Sequence, residues 1–354
     1  MNFFKELRNH MQNEKYDLAL SVVSDAINFY KDNEILRKSF ITEQNNIIKN
    51  IEFLSQLKVT HNDIRALYET EKTPYTYPKD TLGVKREVLP AIVSLTAISI
   101  RLEKLSQTIE SIKNQTLLAH SINLYLSEDA FLIDQGVKKD DLLLKNLHTK
   151  FGVNIYLVPN IGPYRKQVPL LLQLQQAKAE KHTPFVTIDD DIIYPNNILE
   201  QLHFAHLKLG GIIAHRGRMM SFKNDGMIDS YTKFPIPKNE KALLNIGTGK
   251  NGIYYLFGFF PKKNLNLGAV LGPTTDDLWC KWVTALKCIP TYILEPEAAY
   301  KKELDFAETS TEKVGLFHNY NAKGVNDFAI NNLEHYFKIQ FGANIQSIYG
   351  IKTK

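Results

Sequence analysis

Three consecutive carboxylates, Asp189, Asp190 and Asp191, follow the run Phe185-Val186-Thr187-Ile188 and precede Ile192-Ile193-Tyr194-Pro195. The run has the composition of a buried strand, which places the triplet at a strand's carboxyl end, where open α/β sheets gather their ligands. Successive strand side chains point to opposite faces, so Asp189 and Asp191 are expected on one side and Asp190 on the other. Two hard oxygen ligands on one side suit Mg²⁺ or Mn²⁺, which keeps several waters and shares its shell with substrate phosphates. A solvated acidic turn, or a cap for a helix beginning near Asn196-Asn197-Ile198-Leu199, accounts for a bare Asp-x-Asp about as well. The apolar approach strand favours the metal.

Other residues can add chemistry. Arg165 and Lys166 follow Gly162-Pro163 and can bring positive charge to a diphosphate, or form an ordinary solvated basic pair. Asp276 and Asp277 follow Leu271-Gly272-Pro273 and open a Trp-bearing helix over Leu278 to Leu286. One of them is expected to cap that helix, which leaves the other for chemistry. His215 and Arg216 follow an apolar strand and suit sugar hydroxyls, or a structural Arg with a buried carboxylate. Tyr254, Trp279 and Trp282 can stack on sugar faces, although aromatics at helical spacing pack in cores by default. His318 lies in the polar loop Gly315-Leu316-Phe317-His318-Asn319, where a lone His is usually a surface side chain.

The elements that must position these groups follow from periodicity and punctuation. Residues 1–70 contain no Gly or Pro and carry apolar residues at helical spacing, as in Leu18, Val22, Ala26 and Tyr30. They read as a small all-helical accessory region suited to packing, self-association into a homo-oligomer, or holding a partner. Residues 71–90, with Pro74, Pro78 and Pro90, read as a linker. Beyond it strands and helices alternate: a strand over Ala91 to Ser99, a helix over Leu102 to Lys113, then strands over Ser121 to Leu126 and Asn154 to Val158. A helix from Pro169 to Ala179, the Asp-bearing strand, a helix from Ile198 to Lys208 and a strand from Gly211 to Ala214 complete the series. This order predicts an α/β domain over 91–330, with a mostly parallel, Rossmann-like sheet covered by helices on both faces. A C-terminal helix or tail occupies 331–354.

Composition limits the class. The 354 residues, 44% hydrophobic and 23% charged, can build a core of one large domain with an appendage. A net charge of +5 from 43 basic and 38 acidic residues admits sugar nucleotides or acidic lipid but is no nucleic-acid footprint. Cys280 and Cys288 make no disulfide framework, which fits a reducing cytoplasm. The segment from Met1 to Arg8 lacks an apolar signal core, and no uncharged run nears the roughly 20 residues of a membrane span. The expected location is the cytoplasm, with at most peripheral contact at the inner membrane.

Taken in order, these stretches resemble a known family. Val93-Ser94-Leu95-Thr96, Arg101-Leu102 and the segment from Thr108 to Thr116 look like the opening strand and helix of family 2-like glycosyltransferases of the GT-A fold. Ile161 to Lys166, the Asp triplet, His215-Arg216 and Thr275-Asp276-Asp277-Leu278-Trp279 are similar, in the same order, to a bacterial branch acting on surface polysaccharides. The resemblance covers roughly residues 90–330. It implies transfer of a hexose from a nucleotide-sugar donor, most readily a UDP-hexose, to a glycan or glycolipid acceptor of a lipooligosaccharide or capsule. It implies Mn²⁺ or Mg²⁺ on Asp191, with Asp189 near the ribose and assisting the metal, and with His318 as a late metal ligand. Thr96, Arg101, Arg165, Lys166 and Asp190 fall to the donor, and Asp277 to the catalytic base with Asp276 orienting the acceptor; those two roles can exchange. His215, Arg216, Gly252, Tyr254 and Trp279 fall to the acceptor. The loop Gly247-Thr248-Gly249-Lys250-Asn251-Gly252-Ile253-Tyr254 departs from the family's Gly-Gly-aliphatic-Tyr pattern.

Rival functions make different demands. A nucleotidyltransferase acting on a sugar phosphate wants a Gly-rich, Lys-bearing loop after the first strand, and Ala97-Ile98-Ser99-Ile100-Arg101 is not one. A glycoside hydrolase needs two carboxyls and no metal. A helical assembly factor would work through residues 1–70 and carry an inactive sheet domain.

Overall fold

The computed structural model describes residues 87–237, 241–263, 265–294, 307–308, 315–316, 320–321, 324–342 and 344–348. The expected helices of 1–70, the linker up to residue 86 and His318 lie outside them. Strand β1 (Val88–Thr96) begins three residues before the predicted run and takes in Pro90. Its pairing with β2 (Leu118–Leu126) shifts register between Leu89 and Ile92, the kind of irregularity that accommodates a residue without an N–H.

Helix α1 (Leu102–Lys113) buries Leu105, Ile109 and Ile112, a stripe at helical spacing. Helix α2 (Leu142–Phe151) starts where Asp141 accepts the Leu143 N–H and ends on Gly152 in the left-handed region. Then come β3 (Asn154–Leu157), a 3₁₀ turn over Gly162–Lys166, α3 (Val168–Gln176), β4 (Pro184–Thr187), the short β5 (Ile192–Ile193), α4 (Ile198–Leu209) and β6 (Ile212–Ala214). The chain continues through β7 (Gly217–Met219), β8 (Lys241–Ala242), β9 (Asn245–Gly247) and β10 (Ile253–Leu256). It then forms α5 (Leu267–Leu271), α6 (Asp276–Ala285), β11 (Thr291–Ile293), β12 (Ala307–Glu308), α7 (Val325–Phe341) and α8 (Ile345–Ile348).

Eight strands make one sheet in the order β3-β2-β1-β4-β10-β6-β11-β8. The pairs from β3 to β4 are parallel, β10 runs antiparallel between β4 and β6, β11 is parallel to β6, and β8 is an antiparallel edge. Adjacent residues divide between two cores: Phe185, Ile212 and Tyr255 enter one, and Val186, Ile213 and Tyr254 the other. The first core takes α3, α5, α6 and α7; the second takes α1, α2 and α4. The predicted α/β class, a mostly parallel sheet flanked by helices, is the observed one. Among the described residues no helix is long and apolar enough to cross a membrane.

Candidate functional site

Each acidic group is delivered by the end of an element. Strand β4 stops at Thr187, so the alternation expected to put Asp189 and Asp191 on one side does not reach them. The three carboxylates lie in a turn and divide differently. Asp190 and Asp191 share Arg101, whose guanidinium donates to Asp190 Oδ1 at 2.7 Å and pairs with Asp191 Oδ2 at 3.1 Å. Asp190 is buried and also accepts the Ile98 N–H at 3.4 Å, while its backbone carbonyl accepts the Thr108 hydroxyl at 3.0 Å. Burial pushes its carboxyl up and the Arg101 charge opposes that rise.

Asp189 turns instead to Lys166. The Lys166 ammonium lies 2.9 Å from Asp189 Oδ1 and 3.1 Å from Asp276 Oδ2. Its backbone carbonyl accepts the Ser94 hydroxyl at 2.6 Å, which fastens the 3₁₀ turn under β1. Desolvation pulls this lysine down, but Asp189, Asp276 and Asp277 outweigh it and hold it well above the ordinary range. A solvated basic pair is therefore excluded at this position. Arg165 is buried too, but points elsewhere: it donates to Asp134 Oδ2 at 2.8 Å, to the Gly162 carbonyl at 3.2 Å and to that of Ala97 at 3.3 Å. The expected donor-facing cation is a buried ion pair that braces the cleft wall.

Asp276 and Asp277 are the first two residues of α6, and the N-cap position belongs to Thr275, not to either of them. Asp277 Oδ2 accepts the Gly249 N–H at 3.1 Å; its Oδ1 is buried with no hydrogen-bond partner among the described residues. Burial, helped by Asp276 and opposed by Lys166, pushes the Asp277 carboxyl up to about 8. Burial likewise raises Asp276. The 3₁₀ turn Gly249–Asn251 closes this cluster because residue 249 has no side chain: a Cβ there would stand 2.8 Å from Lys166 Nζ and 3.2 Å from Asp189 Oδ1. Tyr194 ties the same turn to the triplet, its hydroxyl accepting from Asp189 N at 2.9 Å and donating to the Lys250 carbonyl at 3.0 Å.

These groups line a cavity of about 520 Å³ over the carboxyl ends of the parallel strands, a size suited to a small organic ligand. Of the sequence-derived candidates it gathers Thr96, Arg101, Arg165, Lys166, Asp189, Asp190, Asp191, Arg216, Asp276 and Asp277. Thr96 spends its hydroxyl on the Tyr125 carbonyl at 2.7 Å. Four acceptor candidates do not line the cavity. His215 is buried, which lowers its imidazole to about 4. Gly252 holds a φ of 85° against Leu202 and Ile188. Tyr254 faces α4, its hydroxyl 3.2 Å from His203 Nδ1 and its ring 4.9 Å from that of His206. Trp279 packs on Gly268, where an added Cβ would clash with its ring.

Asp134, Tyr194, Gly249 and Arg218 belong to the cavity or its frame and were not singled out from sequence. Tyr194 had a signal in the stretch after the triplet, and Gly249 in the loop Gly247–Tyr254 that departs from the family pattern. Of the five carboxyls of Asp189–191 and Asp276–277, four contact a cation: Asp190 and Asp191 meet Arg101, and Asp189 and Asp276 meet Lys166. No group of three His, Cys, Asp or Glu ligands stands ready among the described residues.

No family model matches the chain, and no curated protein does. Among solved structures it is similar to a 4-diphosphocytidyl-2C-methyl-D-erythritol synthase, with 12% identity over 62% of this chain and 94% of that one, at a TM-score of 0.37. A likeness of that size decides nothing about the site.

Proposed function

We propose that this cleft moves a sugar, with inversion, from a nucleoside diphosphate donor to a hydroxyl of a glycan or glycolipid acceptor. The observation that carries the reading is Asp277: a carboxyl whose Oδ1 has no hydrogen-bond partner among the described residues, set in a ligand-sized cleft beside a cation that holds two other carboxylates. As the acceptor oxygen attacks the anomeric carbon, Asp277 Oδ1 removes its proton, and the bond between that carbon and the diphosphate oxygen breaks with its electrons leaving on the diphosphate. Lys166 and Arg101 supply positive charge on the leaving-group side. Asp276 holds Lys166 in place through the 3.1 Å contact. Asp191, with Asp189, is the pair that would hold Mn²⁺ or Mg²⁺, which supplies Lewis-acid neutralisation of the departing diphosphate. Arg216, which also lines the cavity, is assigned to the acceptor. A bacterial surface glycan as acceptor, and a UDP-hexose as donor, follow from the resemblance of the motif series.

Nucleotidyl transfer is the weaker reading because β1 exits into Ala97-Ile98-Ser99-Ile100-Arg101, with no glycine-rich loop to wrap a triphosphate. Nucleotide release from a panel of sugar nucleotides with Mn²⁺ or Mg²⁺ tests the choice. Slow turnover of one donor, lost with chelator and in Asp191→Ala, is the expected result. Release of pyrophosphate from a nucleoside triphosphate and sugar phosphate would replace this reading with the other.

A further inference from the structure

The outward face of α4 is not that of a helix built to meet water. Its buried side, Ile198, Leu199 and Leu202, enters the second core, with Ala205 and Leu209 packed at the edge. The four exposed positions, Gln201, Phe204, Leu207 and Lys208, fall on a single arc opposite that side. An amphipathic helix normally keeps such an arc polar, yet here Phe204 is 52% exposed and Leu207 65%. The two stand three residues apart and so adjoin, unlike the scattered single hydrophobics of an ordinary surface. Leu142 and Leu143, exposed at the start of α2, lie at the cleft end of the sheet instead.

We propose that residues 16–30 of the same chain cover this face. That stretch carries Leu18, Val22, Ala26 and Tyr30 at helical spacing, an apolar stripe that needs a partner surface. Its charged residues are Asp17 and Asp25, with no Lys or Arg, whereas Lys208 flanks the apolar pair of α4, so the charges are complementary. The chain also arrives at the right end of the domain. Residues 1–86 join the sheet at Glu87, whose carbonyl accepts the Leu118 N–H at 2.9 Å just ahead of β1. Strands β1, β4 and β6 run the same way, and α4 returns from the acidic turn to the start of β6. Leu207 and Lys208 therefore stand at the end of the sheet where Glu87 enters. Size decides between a segment of this chain and a separate molecule. Phe204 and Leu207 offer on the order of 200 Å², against about 1,200–2,000 Å² for a stable interface between free partners. Residues 31–86 are a covalent tether that makes the contact intramolecular, so a patch this small suffices. The contact is independent of what the cleft catalyses.

Hydrogen exchange read by mass spectrometry on the full chain tests the contact, in wild type, Phe204→Asp, Leu207→Asp and Leu142→Asp, at about 1 μM and about 50 μM protein. In wild type the amides of 16–30 should be protected, and equally so at both concentrations. Phe204→Asp and Leu207→Asp should each cost at least about tenfold of that protection, and Leu142→Asp, an exposed leucine at the other end of the sheet, should cost none. The amides of β1 and α6 should exchange as in wild type throughout, because all three substitutions lie on the surface. Free exchange of residues 16–30 in wild type overturns the contact. Protection that survives Leu207→Asp also overturns it, since another surface would then cover the segment. Protection that rises with concentration and falls in Leu207→Asp overturns it in favour of a second copy of the chain on α4.

Discussion

Asp277 is where stability and chemistry oppose each other. Its carboxyl is raised to about 8 in the fold from an ordinary 3.8, so the folded chain holds a proton that the unfolded chain releases. That contribution is fully present below pH 4 and is lost as pH rises through 8; above it, an ionised carboxylate stands against Asp276 and Asp189 with Lys166 as the opposing cation. Asp277→Asn is therefore expected to raise the melting temperature above pH 8 by a few degrees, roughly 1–2 kcal/mol, and to leave it unchanged near pH 4. Transfer should fall by about 10²–10⁴-fold in the same variant, because the amide cannot accept the proton. In wild type the rate should climb with pH and level off past about 8, a limb the variant lacks. A variant both less stable and equally active would remove Asp277 from the mechanism.

At the scale of elements, the cluster depends on backbone brought close by glycine. Gly249→Ala sets a methyl 2.8 Å from an ammonium already fixed by two carboxylates, so Lys166 must leave one of them. Activity should fall more than about tenfold while the melting temperature moves little, since the displaced atom is the end of a flexible side chain. Gly268→Ala makes the contrasting case. Its methyl would meet the Trp279 ring at 2.4 Å and Tyr164 Cε1 at 2.5 Å, both in close-packed core, and a loss of about 1–3 kcal/mol is expected on denaturant unfolding. The same contact explains why Trp279, which the sequence offered both as a sugar platform and as core packing, stands in the core. The alternation of β-branched runs with amphipathic stripes was enough to place α1, α3, α4 and α6 within a few residues, because α1 and α4 carry their apolar faces in their own periodicity, whereas α2 and α5 were not read from the sequence. The division of the Asp triplet was not legible, since it depends on β4 ending at Thr187. Nor was Asp134, whose partners Ser99 and Arg165 are 35 and 31 residues away and meet it only once the sheet is assembled.

The molecule as a whole carries a formal +5, and its cleft gathers six aspartates and six Lys and Arg side chains at the ends of strands whose cores lie on both sheet faces. The sheet supplies the rigidity that keeps like charges together, and Arg101 and Lys166 hold them in the ligand-free state. That arrangement makes a specific prediction about linkage. With no cage of three ready ligands among the described residues, Mn²⁺ alone should shift the melting temperature by less than about 1 °C, because the ion gains few contacts that Arg101 does not already make. A nucleoside diphosphate added with Mn²⁺ at about 100 times its dissociation constant should stabilise by about 2.7 kcal/mol, several degrees, and most of that shift should vanish with EDTA or in Asp191→Ala. Full stabilisation by the metal in the absence of nucleotide would mean a prebuilt cation site. Full stabilisation by nucleotide in the presence of EDTA would mean that Lys166 and Arg101 carry the diphosphate by themselves, and the assignment of Asp191 to a shared metal would fall.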